Sequence, residues 1–282
     1  MSGRLAPTPS GSLHVGNALA FATAWLSARS QGLELLLRME DVDRTRARQS
    51  LIDGIHRDLG WLGLGTDRET PPQSTRDYGP WLGPLDTYFC ACTRKLLARR
   101  PCPCRDAGHS EGSLRWRLPA GPVAFTDRRM GAVEVDPNRF GDPVLIRRDG
   151  VVAYTLAVVV DDLVDGITEV VRGADLLEYT AVQIRLWEAF GATPPTWLHS
   201  PLITGPDGRK LAKSTGSTGV ASWRELGYRP GDIWAQLLPM IGIEARSLEE
   251  ALPQFSPTGG TLGPQLWPPD GYVGPEEDGC SD

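Results

Sequence analysis

Apolar positions along the chain alternate between short continuous runs and helix-spaced stretches, with turn residues at the joins. Arg4-Leu5-Ala6-Pro7-Thr8-Pro9-Ser10-Gly11 starts apolar and then fills with Pro, Ser and Gly, which predicts a short buried strand running into a loop. Ser10 or Ser12 is positioned to cap a following helix over residues 16–30, rich in Ala and Leu. A second apolar run, 33–39, predicts a strand, and Leu51, Ile55, Leu59 and Leu62 carry helical spacing through 45–62. Strand, helix, strand, helix in the first 62 residues points to a parallel α/β sheet. Further on, 151–160 and 167–172 read as strands, 176–190 as a helix with Ile184, Leu186, Trp187 and Phe190 for packing, and 195–202 as a strand. Helical spacing returns over 222–243, where Pro230 marks a helix start. Residues 85–145 are mixed in polarity and read as an inserted lobe. Residues 251–282 hold six Pro and six Gly, a composition that predicts a disordered or loosely docked tail. The expected organisation is a domain over 1–243 and a tail over 244–282, with no internal repeats.

Charge sharpens this division. The 282 residues carry a net −6, of which −7 falls in residues 244–282, leaving the remainder near neutral at +1 and compatible with a nucleic-acid partner. No run approaches the roughly 18 apolar residues of a membrane span. The longest, 151–160, stops at Asp161-Asp162, which are read as holding local loops or pairing with arginines and are given no site role. The N-terminal residues lack a secretory h-region, so a cytoplasmic protein is expected. Four of the five cysteines, Cys90, Cys92, Cys102 and Cys104, lie within fifteen residues, a clustering that suits a metal site better than a disulfide framework.

Two segments carry candidate chemistry. Ser12-Leu13-His14-Val15-Gly16-Asn17 follows a predicted strand and opens a helix, whose free N–H groups and dipole suit a phosphate. The alternative is a capped helix with an incidental histidine. Gly208-Arg209-Lys210-Leu211-Ala212-Lys213-Ser214-Thr215-Gly216 is a polar loop whose ammonium groups could offset charge on a transferring phosphate, or simply be solvated. Only three of the 29 basic residues are lysines, Lys95, Lys210 and Lys213, and two of them sit in this loop. Ammonium and guanidinium groups are not interchangeable, so the placement favours a role.

Together these segments resemble the two signatures of the class I aminoacyl-tRNA synthetases: HIGH at His14-Val15-Gly16-Asn17, and KMSKS at Lys210-Leu211-Ala212-Lys213-Ser214. Asn17, Leu211 and Ala212 depart from the consensus. The surroundings narrow the resemblance to the glutamyl-tRNA synthetases, whose RFAPSPTG opening is similar to Arg4–Gly11 and whose RIEDTDxxR is similar to Arg38-Met39-Glu40-Asp41-Val42-Asp43-Arg44-Thr45-Arg46. Tyr154 to Asp162, Gly166-Ile167-Thr168 and Val171-Arg172-Gly173-Ala174-Asp175-Leu176-Leu177 resemble the second half of the same site. The likeness runs in order from Arg4 to about Ile243. It implies a Rossmann-type parallel-sheet catalytic domain, an inserted zinc-bearing, acceptor-like lobe and a short helical C-terminal region.

The resemblance also implies roles. Arg4 and Arg172 would take the two carboxylates of L-glutamate, Glu40 its ammonium, and Ala6, Thr8 and Tyr154 would complete that pocket. His14, Gly16, Asn17 and Lys213 would bind ATP with its Mg²⁺, Lys213 stabilising the transition state and Lys210 assisting. With no room for an anticodon-binding domain after Ile243, the closer likeness is to the family's short branch, which transfers glutamate to the queuosine base in the anticodon of tRNA(Asp). That branch carries Cys-x-Cys, a Tyr, then Cys-Arg as its structural Zn²⁺ site. Here Cys104-Arg105 fits the last element, Cys102 stands in for the Tyr, Tyr88 precedes the cluster and His109 is a spare ligand. Free thiols that have lost the metal are the alternative. A synthetase fragment charging tRNA(Glu) and an inactive RNA-binding paralogue also stay open, and a monomer is expected.

Overall fold

The computed structural model describes residues 1–97, 99–100, 102–205, 219–260 and 263–267. The chain opens with β1 (Ser2–Leu5), α1 (Val15–Ser30), β2 (Glu34–Leu37), α2 (Gln49–Trp61) and β3 (Arg68–Glu69), the three strands parallel in the order β1-β2-β3. Then come β4 (Thr87–Cys90), α3 (Arg94–Leu97), β5 (Ser113–Trp116), β6 (Val123–Asp127), β7 (Gly131–Val135) and β8 (Val144–Ile146). The second half of the sheet is built from α4 (Tyr154–Val164), β9 (Glu169–Gly173), α5 (Thr180–Ala189) and β10 (Thr196–Ser200), followed by the short β11 (Ile203–Thr204).

The two halves meet between β1 and β9, where Thr168 donates to the Ser2 carbonyl at 2.9 Å and Ser2 bridges Ile167 in parallel. The resulting order is β3-β2-β1-β9-β10-β6-β7, with β7 antiparallel to β6 and the other pairings parallel. The order reverses direction at β1/β9, and in such sheets the ligand crevice opens at the carboxyl ends of the strands flanking that point.

Three expectations change. The run 151–160 is not a strand: its core is α4, in which every residue from Thr155 to Asp162 is buried. A helix enclosed on all sides needs no polar stripe, so its sequence mimics an apolar strand. The stretch 85–145 is not wholly an inserted lobe either. β4, β5 and β8 form a separate antiparallel sheet, but the β6–β7 hairpin joins the main sheet through Trp197 and Asp127. The third concerns the tail.

Residues 244–260 and 263–267 are packed, not loose. α6 (Val220–Glu225) and α7 (Pro230–Leu237), the latter with proline in its first turn as the sequence predicts, lead into α8 (Leu248–Ala251), capped by Ser247. α8 and the turn after it lie against α1, burying Leu248 and Ala251. α1 is thus covered by the sheet on one side and by this segment on the other, which explains its Ala-rich, stripe-free sequence. Gly242 and Gly260 both have positive φ, and a Cβ on either would collide with the other segment's backbone. Finally β12 (Gln265–Leu266) pairs in parallel with β11, and Trp267 is buried against Trp223, centroids 5.8 Å apart. Trp267→Ala is expected to cost about 3 kcal/mol, read as a lower urea midpoint. An unchanged midpoint would mean that the segment contributes nothing to the fold.

Candidate active site

A cleft of about 380 Å³ opens at the β1/β9 switch point. Arg4, Ala6, Thr8, His14, Gly16, Asn17, Glu40, Tyr154 and Arg172 all line it, although they come from four separate stretches of chain. Ser10, Ser12, Phe21, Asp175 and the apolar Pro201, Leu202 and Ile203 complete the walls. Lys210 and Lys213 lie outside the described residues. The chain on either side of them does reach the cleft: Ile203 lines it, and Gly219 bridges His14 while Val220 donates to the Leu13 carbonyl at 2.9 Å.

The helix start is built differently from the serine cap expected from sequence. His14 itself is the N-cap of α1: its Nδ1 accepts from Gly16 N at 3.1 Å, and its own N–H donates to Asn17 Oδ1 at 3.2 Å, a reciprocal capping box. Asn17, a departure from the HIGH consensus, therefore has a structural task. With Nδ1 accepting, the neutral ring carries its proton on Nε2. A Cβ at Gly16 would lie 3.1 Å from His14 Cε1, so the glycine also leaves room for the imidazole. No acidic residue occupies the first turn, which leaves the positive end of a 16-residue helix facing the cleft.

The two arginines are held in opposite ways. Arg4, buried in β1, donates from Nε to Asp162 Oδ1 at 3.1 Å and from Nη1 to the Val171 carbonyl at 3.2 Å. Asp162 also receives Arg38 Nη2 at 2.7 Å, and the network continues through Asp165 to Arg76 and on to Asp161, which Tyr78 and Gln73 also contact. Burial raises the Asp162 carboxyl, but Arg4 and Arg38 together outweigh it and hold the group below the usual carboxylate range. For Asp161 burial prevails, and its carboxyl is pushed up to about 6.

Arg172, at the end of β9, donates among the described residues to neutral acceptors: His199 Nε2 at 3.1 Å, Gln183 Oε1 at 2.6 Å, Thr180 Oγ1 at 2.8 Å and the Leu176 carbonyl at 3.4 Å. Its guanidinium also lies over the Trp197 ring at 5.1 Å. Burial lowers its affinity for its proton. A buried cation with no carboxylate partner among the described residues is one that an anionic ligand would stabilise. Across the cleft Glu40 accepts from Thr8 Oγ1 at 2.9 Å, and burial, opposed by Arg38, Thr8 and Arg4, holds its carboxyl above the usual range. Sequence reasoning singled out Arg172 but none of the groups that seat it.

In the lobe, the Sγ atoms of Cys90, Cys92, Cys102 and Cys104 all lie within 4.8 Å of one another, with separations of 3.4, 3.9 and 3.5 Å for the hydrogen-bonding pairs. A tetrahedral ion with metal–sulfur bonds of 2.3 Å requires sulfurs about 3.8 Å apart, so the quartet could hold a metal ion. His109 is not part of it. Tyr88 OH stands 4.0 Å from Cys102 Sγ and donates to Asp142 at 2.9 Å. Burial raises the Cys90 thiol, but the Cys92 N–H, the Cys102 thiol and Arg115 outweigh this and bring it to about 7. A Cβ at Gly112 would collide with the Cys90 carbonyl, so a glycine is required where the lobe closes over the cluster.

A doubly wound parallel sheet, a histidine-capped helix at its switch point and paired arginines on the flanking strands define a class I synthetase core. Residues 1–80 and 100–255 match the catalytic domain of the class I tRNA synthetases for E and Q. The chain belongs to that family. It is 40% identical to a glutamyl-Q tRNA(Asp) synthetase of Deinococcus radiodurans, over 93% of this chain and 97% of the relative. It is 45% identical to another of that name from Pseudomonas putida, over 75% of each. Among solved structures, a glutamate-tRNA synthetase from Elizabethkingia anophelis aligns over 95% of this chain and 68% of its own, with a TM-score of 0.81 and 24% identity. A glutamate tRNA ligase from Elizabethkingia meningosepticum, in complex with its amino acid, aligns over 94% and 66%, with a TM-score of 0.79 and 25% identity. No helix among the described residues is long and apolar enough to cross a membrane.

Proposed function

We propose that this chain activates L-glutamate with ATP and transfers the glutamyl group to the queuosine base of tRNA(Asp). The observation that carries the glutamate reading is the charge layout of the cleft: two buried guanidinium groups and one carboxylate, matching a ligand with two carboxylates and one ammonium. Arg172, with no carboxylate partner among the described residues, takes one carboxylate. Arg4, already paired with Asp162, contributes the second cation, and Glu40 receives the ammonium, with Ala6, Thr8 and Tyr154 shaping the pocket. An α-carboxylate oxygen attacks the α-phosphorus of ATP and the bond to the β-phosphate oxygen breaks, releasing pyrophosphate. The acceptor hydroxyl of queuosine then attacks the adenylate carbonyl carbon, expelling AMP and losing its proton. No side chain acts as nucleophile; alignment and charge stabilisation supply the rate. His14 Nε2–H and the start of α1, with Gly16 and Asn17 fixing the cap, face the phosphates. Lys213, with Lys210 assisting, is assigned the charge that develops on pyrophosphate, and Mg²⁺ enters with ATP.

Transfer to queuosine is supported by the relatives named for it, the Deinococcus protein above all, since the match spans nearly its whole length. Radiolabelled glutamate offered to total tRNA with and without queuosine tests this. Transfer confined to the queuosine-containing pool is expected. Equal charging of queuosine-free tRNA at the terminal ribose would assign the chain to tRNA(Glu) instead, and no activation of glutamate at all would remove the catalytic reading.

The cysteine quartet is assigned one structural Zn²⁺, which would tie β4 to the 102–104 segment and shape the lobe beside the cleft. Purified protein is expected to contain close to one zinc per chain. Less than about half an equivalent, with no gain in refolding on adding zinc, would abandon the site.

A further inference from the structure

Arg172 is seated by a chain of buried groups that neither the motifs nor the glutamate pocket accounts for. His199, on β10, is fully buried. Its Nδ1 lies 2.7 Å from Asp127 Oδ2 and its Nε2 3.1 Å from Arg172 Nε. Arg172 Nε carries a hydrogen and no lone pair, so His199 Nε2 must accept and the ring proton must sit on Nδ1, facing Asp127. Asp127, at the end of β6, is itself locked: its Oδ1 accepts the backbone N–H groups of Arg129 at 3.0 Å and Met130 at 2.9 Å.

We infer that Asp127 and His199 are positioning residues for glutamate recognition: Asp127 fixes the Nδ1–H tautomer of His199, which leaves Nε2 as the acceptor that aims the Arg172 guanidinium into the cleft. This rests on the reading of Arg172 as the carboxylate receptor. The imidazole serves a purpose a carboxylate could not. An aspartate in direct contact would orient Arg172 equally well but would offset its charge, as Asp162, shared between Arg4 and Arg38, offsets part of theirs. A neutral imidazole orients the arginine and leaves its charge for the ligand, while the balancing anion stays one ring-width away. Burial and the charge of Arg172 hold His199 in its neutral form against the pull of Asp127 and Asp175. The β6–β7 hairpin, which the sequence assigns to the inserted lobe, thereby contributes to the site from within the main sheet, through the strand next to β10.

The sharp test is Asp127→Asn. The two backbone N–H groups keep the amide oxygen, so the NH₂ must face His199 Nδ1 and drive the ring proton to Nε2, where it confronts Arg172 Nε–H. A hydrogen bond to a charged group is worth about 1.5–3 kcal/mol, so the KM for glutamate in pyrophosphate exchange should rise by at least about tenfold. The KM for ATP should be unchanged. Nitrogen-15 NMR of the full chain, which has only four histidines, should show His199 as Nδ1–H in the wild type and Nε2–H in the variant. A second pair keeps the test open if that variant folds poorly. His199→Gln retains an acceptor near the Nε2 position and should stay close to the wild-type KM. His199→Asn retains only the contact to Asp127 and should reproduce the rise. A glutamate KM that stays within about twofold in Asp127→Asn, both KM values rising together, or an Nε2–H ring in the wild type would each overturn the inference. Should wild-type protein show the Nδ1–H tautomer but no glutamate-dependent exchange, the seating of Arg172 stands and the glutamate reading falls.

Discussion

Replacing Arg172 with methionine is expected to lower kcat/KM for glutamate by about 10³-fold, because truncating one partner of a buried charge pair typically costs 2–5 kcal/mol. The KM for ATP should change little, since Arg172 sits at the β9 end of the cleft and the phosphates are assigned to α1. The more telling measurement is stability. Arg172 is a buried cation that folding must strip of water without giving it a carboxylate among the described residues. Removing it relieves that cost, and Thr180 Oγ1, 3.4 Å from His199 Nε2, can turn its proton to the acceptor left behind. The variant should therefore unfold no earlier than the wild type, and later if the relief exceeds the lost packing. A site that holds charge ready for a ligand is destabilising until the ligand arrives. Arg172→Met with activity within about tenfold of the wild type would show that this arginine does not receive the substrate carboxylate.

What could be read from the sequence follows from which interactions are local. The β1-α1-β2-α2 unit announces itself because apolar runs, helical spacing and turn residues alternate within 62 residues. Nine residues expected in the site line one cleft because each belongs to a contiguous motif at a strand end or helix start. Features set by distant contacts were hidden. α4 looks like a strand because it is buried all round from Thr155 to Asp162, so its apolar run shows no helical stripe. Residues 244–267 look disordered by composition, yet Ala-rich α1 needs a cover, and Gly260 within the segment and Gly242 just before it permit the close crossing there. His199 is a lone histidine inside a buried strand, and no spacing signals it; its meaning depends on Asp127, 72 positions away. The only local sign of the network behind Arg4 was the Asp161-Asp162 pair ending an apolar run, a poor choice for a core unless arginines meet it, as they do.

That adjacent pair should behave as two opposites when neutralised. Asp162→Asn keeps an oxygen to accept from Arg4 and Arg38 but removes the anion between two buried guanidinium groups, a change expected to cost about 3–5 kcal/mol. The folded protein holds the Asp162 carboxyl below its ordinary value. Its contribution is therefore fully present above the unfolded pKa of about 3.9 and is lost as pH falls through the lower folded value. The penalty should be constant from about pH 5 upward and shrink only in stronger acid. Asp161 has the reverse sign. Its carboxyl is raised to about 6 by burial, so above that pH folding retains a charge it would sooner protonate. Asp161→Asn should be neutral or stabilising at pH 8, with Gln73 turning its amide to meet the new NH₂, and this advantage should fade as pH falls from 6 towards the unfolded value. Because Asp162 also fixes Arg4, its loss should raise the KM for glutamate in whatever protein still folds, whereas Asp161, which reaches the cleft only through Arg76, Asp165 and Arg38, should leave it unchanged. Equal destabilisation by the two substitutions in urea melts at pH 8 would mean that both aspartates serve one undivided ionic core and that the cleft-facing arginine has no dedicated counter-ion.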